Sequence, residues 1–89
     1  MTWRIDFEKP ALREFEKLDR ATRTRILDFL TQRLATRDDP RQLGHALRGS
    51  DLGEYWRYRV GDYRIVARLN DEELVIIVIR VGHRREVYR

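Results

Sequence analysis

Residues 55–68 read YWRYRVGDYRIVAR, and this stretch constrains the fold more than any other. Two runs rich in Tyr, Trp, Val and Ile, residue types that strands prefer, flank Gly61-Asp62. A two-residue loop with Gly first suits a tight β-hairpin. Counting back from that loop pairs Val60 with Tyr63, Arg59 with Arg64, Tyr58 with Ile65, Arg57 with Val66 and Trp56 with Ala67. Opposite residues share a face, and faces alternate along a strand. One face therefore carries Trp56, Tyr58, Val60, Tyr63, Ile65 and Ala67. The other carries Arg57, Arg59, Arg64 and Arg68. Directly opposed like charges destabilise a sheet, so the crowding of arginines on one face needs a reason.

The elements around the hairpin suggest what covers its apolar face. Trp3, Ile5 and Phe7 alternate with Arg4 and Asp6, the pattern of a first strand. Pro10 marks the first turn of a helix whose apolar stripe is Ala11, Leu12, Phe15 and Leu18. Asp19 is placed to cap a second helix with the stripe Ile26, Leu27, Leu30 and Leu34, and Phe29 at its edge. Asp38-Asp39-Pro40 ends that helix near Arg37. Residues 38–53 are turn-rich and read as a loop that packs Leu43 and Leu47 on the core. Beyond the hairpin, Asn70 to Glu73 form a turn. LVIIVIRV, Leu74 to Val81, then suits a central strand covered on both faces. The expected fold is α+β: a small antiparallel-rich sheet with two N-terminal helices packed on one face, in the order β-α-α-β-β-β. The arginine face would then look away from the helices.

At 89 residues the chain is expected to form one domain, residues 1–89. It has no cysteine, which excludes disulfides and thiolate metal sites. His45 and His83 lie far apart without metal-ligand spacing. The N-terminus has no apolar signal region, and no apolar run approaches the length that spans a bilayer. A soluble cytoplasmic protein is the expectation. The net charge is +4 and the pI about 10.0, which favours a polyanionic partner. Only Lys9 and Lys17 among 19 basic residues are lysine. Arginine forks onto phosphate where lysine acts as a point charge, although GC-rich coding also raises arginine content. Base composition does not explain where the arginines sit.

Two groups carry candidate chemistry. The hairpin face with Arg57, Arg59 and Arg64 reads either as a solvated strand face or as a phosphate-binding surface. The tail HRREVYR offers His83, Arg84, Arg85, Tyr88 and Arg89, either a basic chain end or an aromatic among cations suited to an unstacked nucleobase.

FEKPALREFEKLDR, LRG at 47–49, the YR after the hairpin turn and the closing VGHRREVY together resemble the RelE toxins of the RelE/ParE superfamily, over almost the whole chain. The resemblance implies a ribosome-dependent mRNA endonuclease that uses no metal or other cofactor. Such a toxin enters the A site of the 70S ribosome and cuts mRNA by attack of the 2′-hydroxyl. It also implies a small RelB-like antitoxin as partner. By match to the family pattern, the catalytic set is Arg57, Arg59, Arg64, Arg84 and Tyr88. Arg57, Arg59, Arg68, Arg85 and His83 are the expected RNA contacts. Family members often carry lysine where Arg57 and Arg59 stand. ParE-type toxins, which bind DNA gyrase, also resemble the chain; a plain RNA-binding module and an inactive relative remain as alternatives.

Overall fold

The computed structural model describes residues 2–47 and 55–83. Within them the chain runs through β1 (Arg4–Phe7), α1 (Lys9–Glu16) and α2 (Arg20–Asp28), which continues into a π-helical turn (Phe29–Leu34). A 3₁₀ turn (Pro40–Leu43) leads to β2 (His45–Ala46), then β3 (Tyr55–Val60), β4 (Tyr63–Asn70) and β5 (Val75–His83). The five strands form one sheet in the order β1-β5-β4-β3-β2. β1 runs parallel to β5, and the other pairs are antiparallel. This is the expected α+β architecture. The short β2 and the 3₁₀ turn are additions within the segment read as loop.

The hairpin register is the one that the Gly61-Asp62 loop predicts, from Val60 opposite Tyr63 back to Trp56 opposite Ala67. Gly61 has φ 59°, the left-handed value that the first position of this loop requires. Tyr58, Ile65 and Ala67 are buried against Ile26, Phe29, Leu30 and Leu34 of the second helix, and Ala11 and Phe15 of α1 join the same core. Arg57, Arg59 and Arg68 are exposed, and Arg64 is half-buried.

Both helices depart from their expected stripes at one position. Pro10 stands in the first turn of α1, where its missing N–H costs nothing. Ala11 and Phe15 are buried, but Leu12 is 42% exposed. In α2, Asp19 caps as expected: its Oδ2 accepts from the Thr22 backbone N–H at 3.3 Å. Leu27, however, is 40% exposed, while Phe29 is 9% exposed and belongs to the core. The cause is the π turn, where Ala35 N donates to Leu30 O five residues back at 2.8 Å. A wider turn advances fewer degrees per residue. It brings Leu34 back into line with Ile26 and Leu30, and Leu27 is left outside.

β5 also differs from its expected form. Leu74 lies in the turn with φ 55°, and the strand proper begins at Val75. β5 is flanked by β1 and β4, as a central strand should be, but the helices cover one face; Ile77 and Ile79 are half-buried. A β-bulge opposite Val66/Ala67 pairs Val66 with Arg80 and Ala67 with Val78, so Ile79 is extra. The extra residue returns Val81 to the face of Ile76 and Val78, and all three are buried. Past Val78, β1 no longer pairs with β5. There Glu14 of α1 takes over: its carboxylate accepts from Val81 N at 2.9 Å and from Arg80 Nε at 3.2 Å.

At the other side of the sheet, Arg41 of the 3₁₀ turn holds Asp71 of the β4–β5 turn with two bonds of 3.0 and 2.7 Å. Its guanidinium also lies 5.8 Å from the centre of the Trp56 ring. That bidentate bond holds the Asp71 carboxyl below its ordinary range. Tyr58 donates its hydroxyl to Pro40 O at 3.0 Å. Gly44 presses so closely on β3 that a Cβ there would meet the Tyr58 ring at 2.6 Å and Arg57 O at 2.9 Å. These contacts fix β2 on the edge of the hairpin.

Candidate RNA-binding cleft

The arginine face becomes a cleft because β2 is short. It pairs only with Trp56 and Arg57, so the rest of β3 is left unpaired by it. At this step lies a cleft of about 210 Å³ lined by Leu43, His45, Arg57, Tyr58, Arg59 and Arg64. Arg59 and Arg64 are directly opposite one another, and His45 is directly opposite Arg57. Directly opposed side chains in an antiparallel pair start about 4.5–5.5 Å apart at Cβ. Three guanidiniums and one imidazole therefore share one small opening.

No carboxylate lines this cleft among the described residues. Arg59 and Arg64 make no ion pair among them. Arg64 folds one Nη1–H back to the Tyr63 carbonyl at 3.3 Å, which leaves most of its fork available. Val66 sits between Arg57 and Arg80 in register and is 3% exposed. Arginine stems can cover an apolar floor while their heads stay in water. Tyr58 contributes its ring but not its chemistry. Burial pushes its phenol well above the ordinary value of 10, and its hydroxyl is bonded to Pro40 O.

Of the residues singled out in the sequence, Arg57, Arg59 and Arg64 come together in this cleft. Arg68 lies on the same face, beside Asn70 and Asp71 at the far end of β4. His83 is not on that face. It pairs with Tyr63, its ring meets the Tyr63 ring edge-on at 5.8 Å, and it lines a separate cleft with Glu14, Lys17 and Leu18. On the arginine side β5 presents Gly82 opposite Arg64 and Arg80 opposite Val66. Arg84, Arg85, Tyr88 and Arg89 lie outside the described residues. His45 went unnoticed as a site residue in the sequence, because only its register with Arg57 puts it there. A histidine just before LRG was the available signal.

Residues 5–88 match the family model described as the ParE toxin of the type II toxin–antitoxin system, parDE. The chain therefore belongs to the RelE/ParE superfamily, as a RelE-type toxin of a type II toxin–antitoxin pair. It is 34% identical over 90 residues to the mRNA interferase toxin RelE of Escherichia coli strain K12, covering 99% of this chain and 92% of that one. Against the toxin RelG of Mycobacterium tuberculosis the identity is 29% over 89 residues, covering 100% and 99%. Among solved structures, a RelBE toxin–antitoxin complex from M. tuberculosis superposes with a TM-score of 0.84 at 27% identity, over 97% of this chain and 95% of that one. The isolated E. coli RelE toxin gives 0.72 at 28% identity, over 91% and 83%. No helix of the described residues is long and apolar enough to cross a membrane.

Proposed function

We propose that the chain is a ribosome-dependent mRNA endonuclease that cuts the codon in the A site, and that a small RelB-like antitoxin holds it in check. The observation that carries this reading is the cleft itself, where Arg57, Arg59 and Arg64 meet and no carboxylate joins the lining among the described residues. Such a cluster is costly in an empty site and favourable around a phosphodiester, because Arg–phosphate forks are strong charge-assisted bonds. The name of the E. coli relative, an mRNA interferase, supports the same reaction.

In the proposed reaction the 2′-oxygen attacks the adjacent phosphorus, and the bond to the 5′-oxygen breaks. Negative charge grows on the phosphoryl oxygens during attack. Arg64 and Arg84 stabilise that charge; losing one preplaced donor typically costs about 10²–10³ in rate. Arg57 and Arg59 hold the scissile phosphate, and Arg68 and Arg85 the flanking backbone. Tyr88 takes the 2′-hydroxyl proton as phenolate, which nearby guanidiniums favour. At the end of β5, Gly82 stands opposite Arg64 and His83 opposite Tyr63. None of these roles requires a metal.

The antitoxin reading draws on the RelBE complexes among the solved relatives. Exposed Leu12 and Leu27 on the two helices offer it apolar footholds.

The test is primer extension on stalled ribosomes that carry a defined mRNA, with the same mRNA free of ribosomes as control. A cut inside the A-site codon that needs the ribosome is the expected result. The second reading, a gyrase-binding toxin without nuclease activity, is favoured by the ParE description of the family model. No cut, together with inhibition in a gyrase supercoiling assay, would establish it instead.

A further inference from the structure

Among the described residues, the arginines of the cleft leave open which group gives a proton to the departing 5′-oxygen. Arginine holds its proton too tightly to serve as the donor near neutrality. The Tyr58 hydroxyl already donates to Pro40 O and is buried. No carboxylate lines the opening among the described residues. One lining side chain among the described residues is of the type most used for general acid–base catalysis, the imidazole of His45. It is exposed, lies directly opposite Arg57 and points to the same face.

We propose that His45 is the general acid of the cleavage reaction. The assignment rests on the nuclease reading above and supplies the group that it leaves open. The 2′-oxygen forms a bond to phosphorus as its proton passes to the general base of the reaction. The P–O5′ bond breaks, and the electron pair stays on the 5′-oxygen, which takes the proton from the His45 imidazolium. The products are a 2′,3′-cyclic phosphate and a free 5′-hydroxyl. Exchange with water restores both side chains. Arg57, Arg59 and Arg64 hold the phosphate within reach, and Tyr58 stays protonated as the wall of the site. Gly44 is a positioning residue: its close approach to Tyr58 and Arg57 O sets where the next residue, His45, stands.

The test compares wild type with His45→Gln in single-turnover cleavage on programmed ribosomes, across a pH series and on two mRNAs. One carries the natural 5′-oxygen at the scissile bond. The other carries bridging sulfur there, a leaving group that departs without protonation. The expected loss for His45→Gln on the natural mRNA is about 10²–10⁴-fold, the usual contribution of a general acid. The limb on which the wild-type rate falls with rising pH should vanish. On the sulfur mRNA, variant and wild type should cleave at similar rates. Equal losses on both mRNAs would overturn the assignment, because they mean that His45 acts through binding or structure. So would a variant that cuts the natural mRNA at the parent rate. If wild type itself cuts neither mRNA, the nuclease reading fails, and the assignment falls with it.

Discussion

Single residues at the cleft carry separable burdens. Gly44 has no space for a side chain, since a Cβ would stand 2.9 Å from the Arg57 carbonyl oxygen, which is backbone and cannot swing away. Gly44→Ala should cost about 1–3 kcal/mol in stability, as overpacking does. Because β2 is displaced with it, cleavage should fall more than the loss of folded protein explains; a thermal melt beside a rate measurement separates the two. Tyr58 makes a pH prediction. Its folded-state pKa is raised by burial, so its contribution is fully present below pH 10, the ordinary tyrosine value. As pH rises beyond that point, the unfolded chain ionises and the folded one does not. Stability should therefore fall on the alkaline side, and Tyr58→Phe should lose that part of the fall in urea titrations between neutral and alkaline pH. The arginine cluster was legible in the sequence because a two-residue loop dictates register. His45 was not, because β2 is only two residues long and has no periodicity of its own.

Among the elements, α1 does more than cover the core. Its Glu14 closes the stretch of β5 that β1 leaves unpaired, by accepting from Val81 N and Arg80 Nε. An open strand edge is a template for unwanted pairing. Glu14→Ala should cost about 1–3 kcal/mol, the usual penalty for a polar group left without its partner. Hydrogen exchange should locate the loss at the Val81 amide. A carboxylate 67 residues from its partner amide has no signature in a sequence read locally. The same holds for the π turn of α2. Leu12 and Leu27 fit a helical stripe in the sequence, yet the chain buries Phe29 and leaves both leucines out. Helical spacing identified the helices. In α2 it did not identify which apolar residues face the sheet, because the π turn changes phase without changing composition. LVIIVIRV read as a strand with two covered faces for a related reason: a bulge at Ile79 shifts an ordinary inward pattern by one residue.

For the molecule as a whole, the sheet divides labour between its faces. Helices and core occupy one, and arginines occupy the other, with Arg59 and Arg64 meeting across the hairpin. This division was already visible in fourteen residues, 55–68, and with it most of the architecture. The parallel pairing of β1 with β5 was not, since it joins residues at opposite ends of the chain. A net charge of +4 makes binding to a polyanion salt-sensitive, so mRNA cleavage should slow as ionic strength rises. The account stands on the claim that the clustered arginines of the cleft act on RNA in the ribosome. The most direct measurement is single-turnover cleavage of a defined A-site codon by wild type and Arg64→Ala, with the 5′ ends mapped and ribosome binding measured in parallel. Arg64 is half-buried and holds no ion pair among the described residues, so the variant should fold and bind. The account predicts a cut within the codon by wild type, slowed by about 10²–10³ in the variant. Equal rates for the two proteins would contradict it.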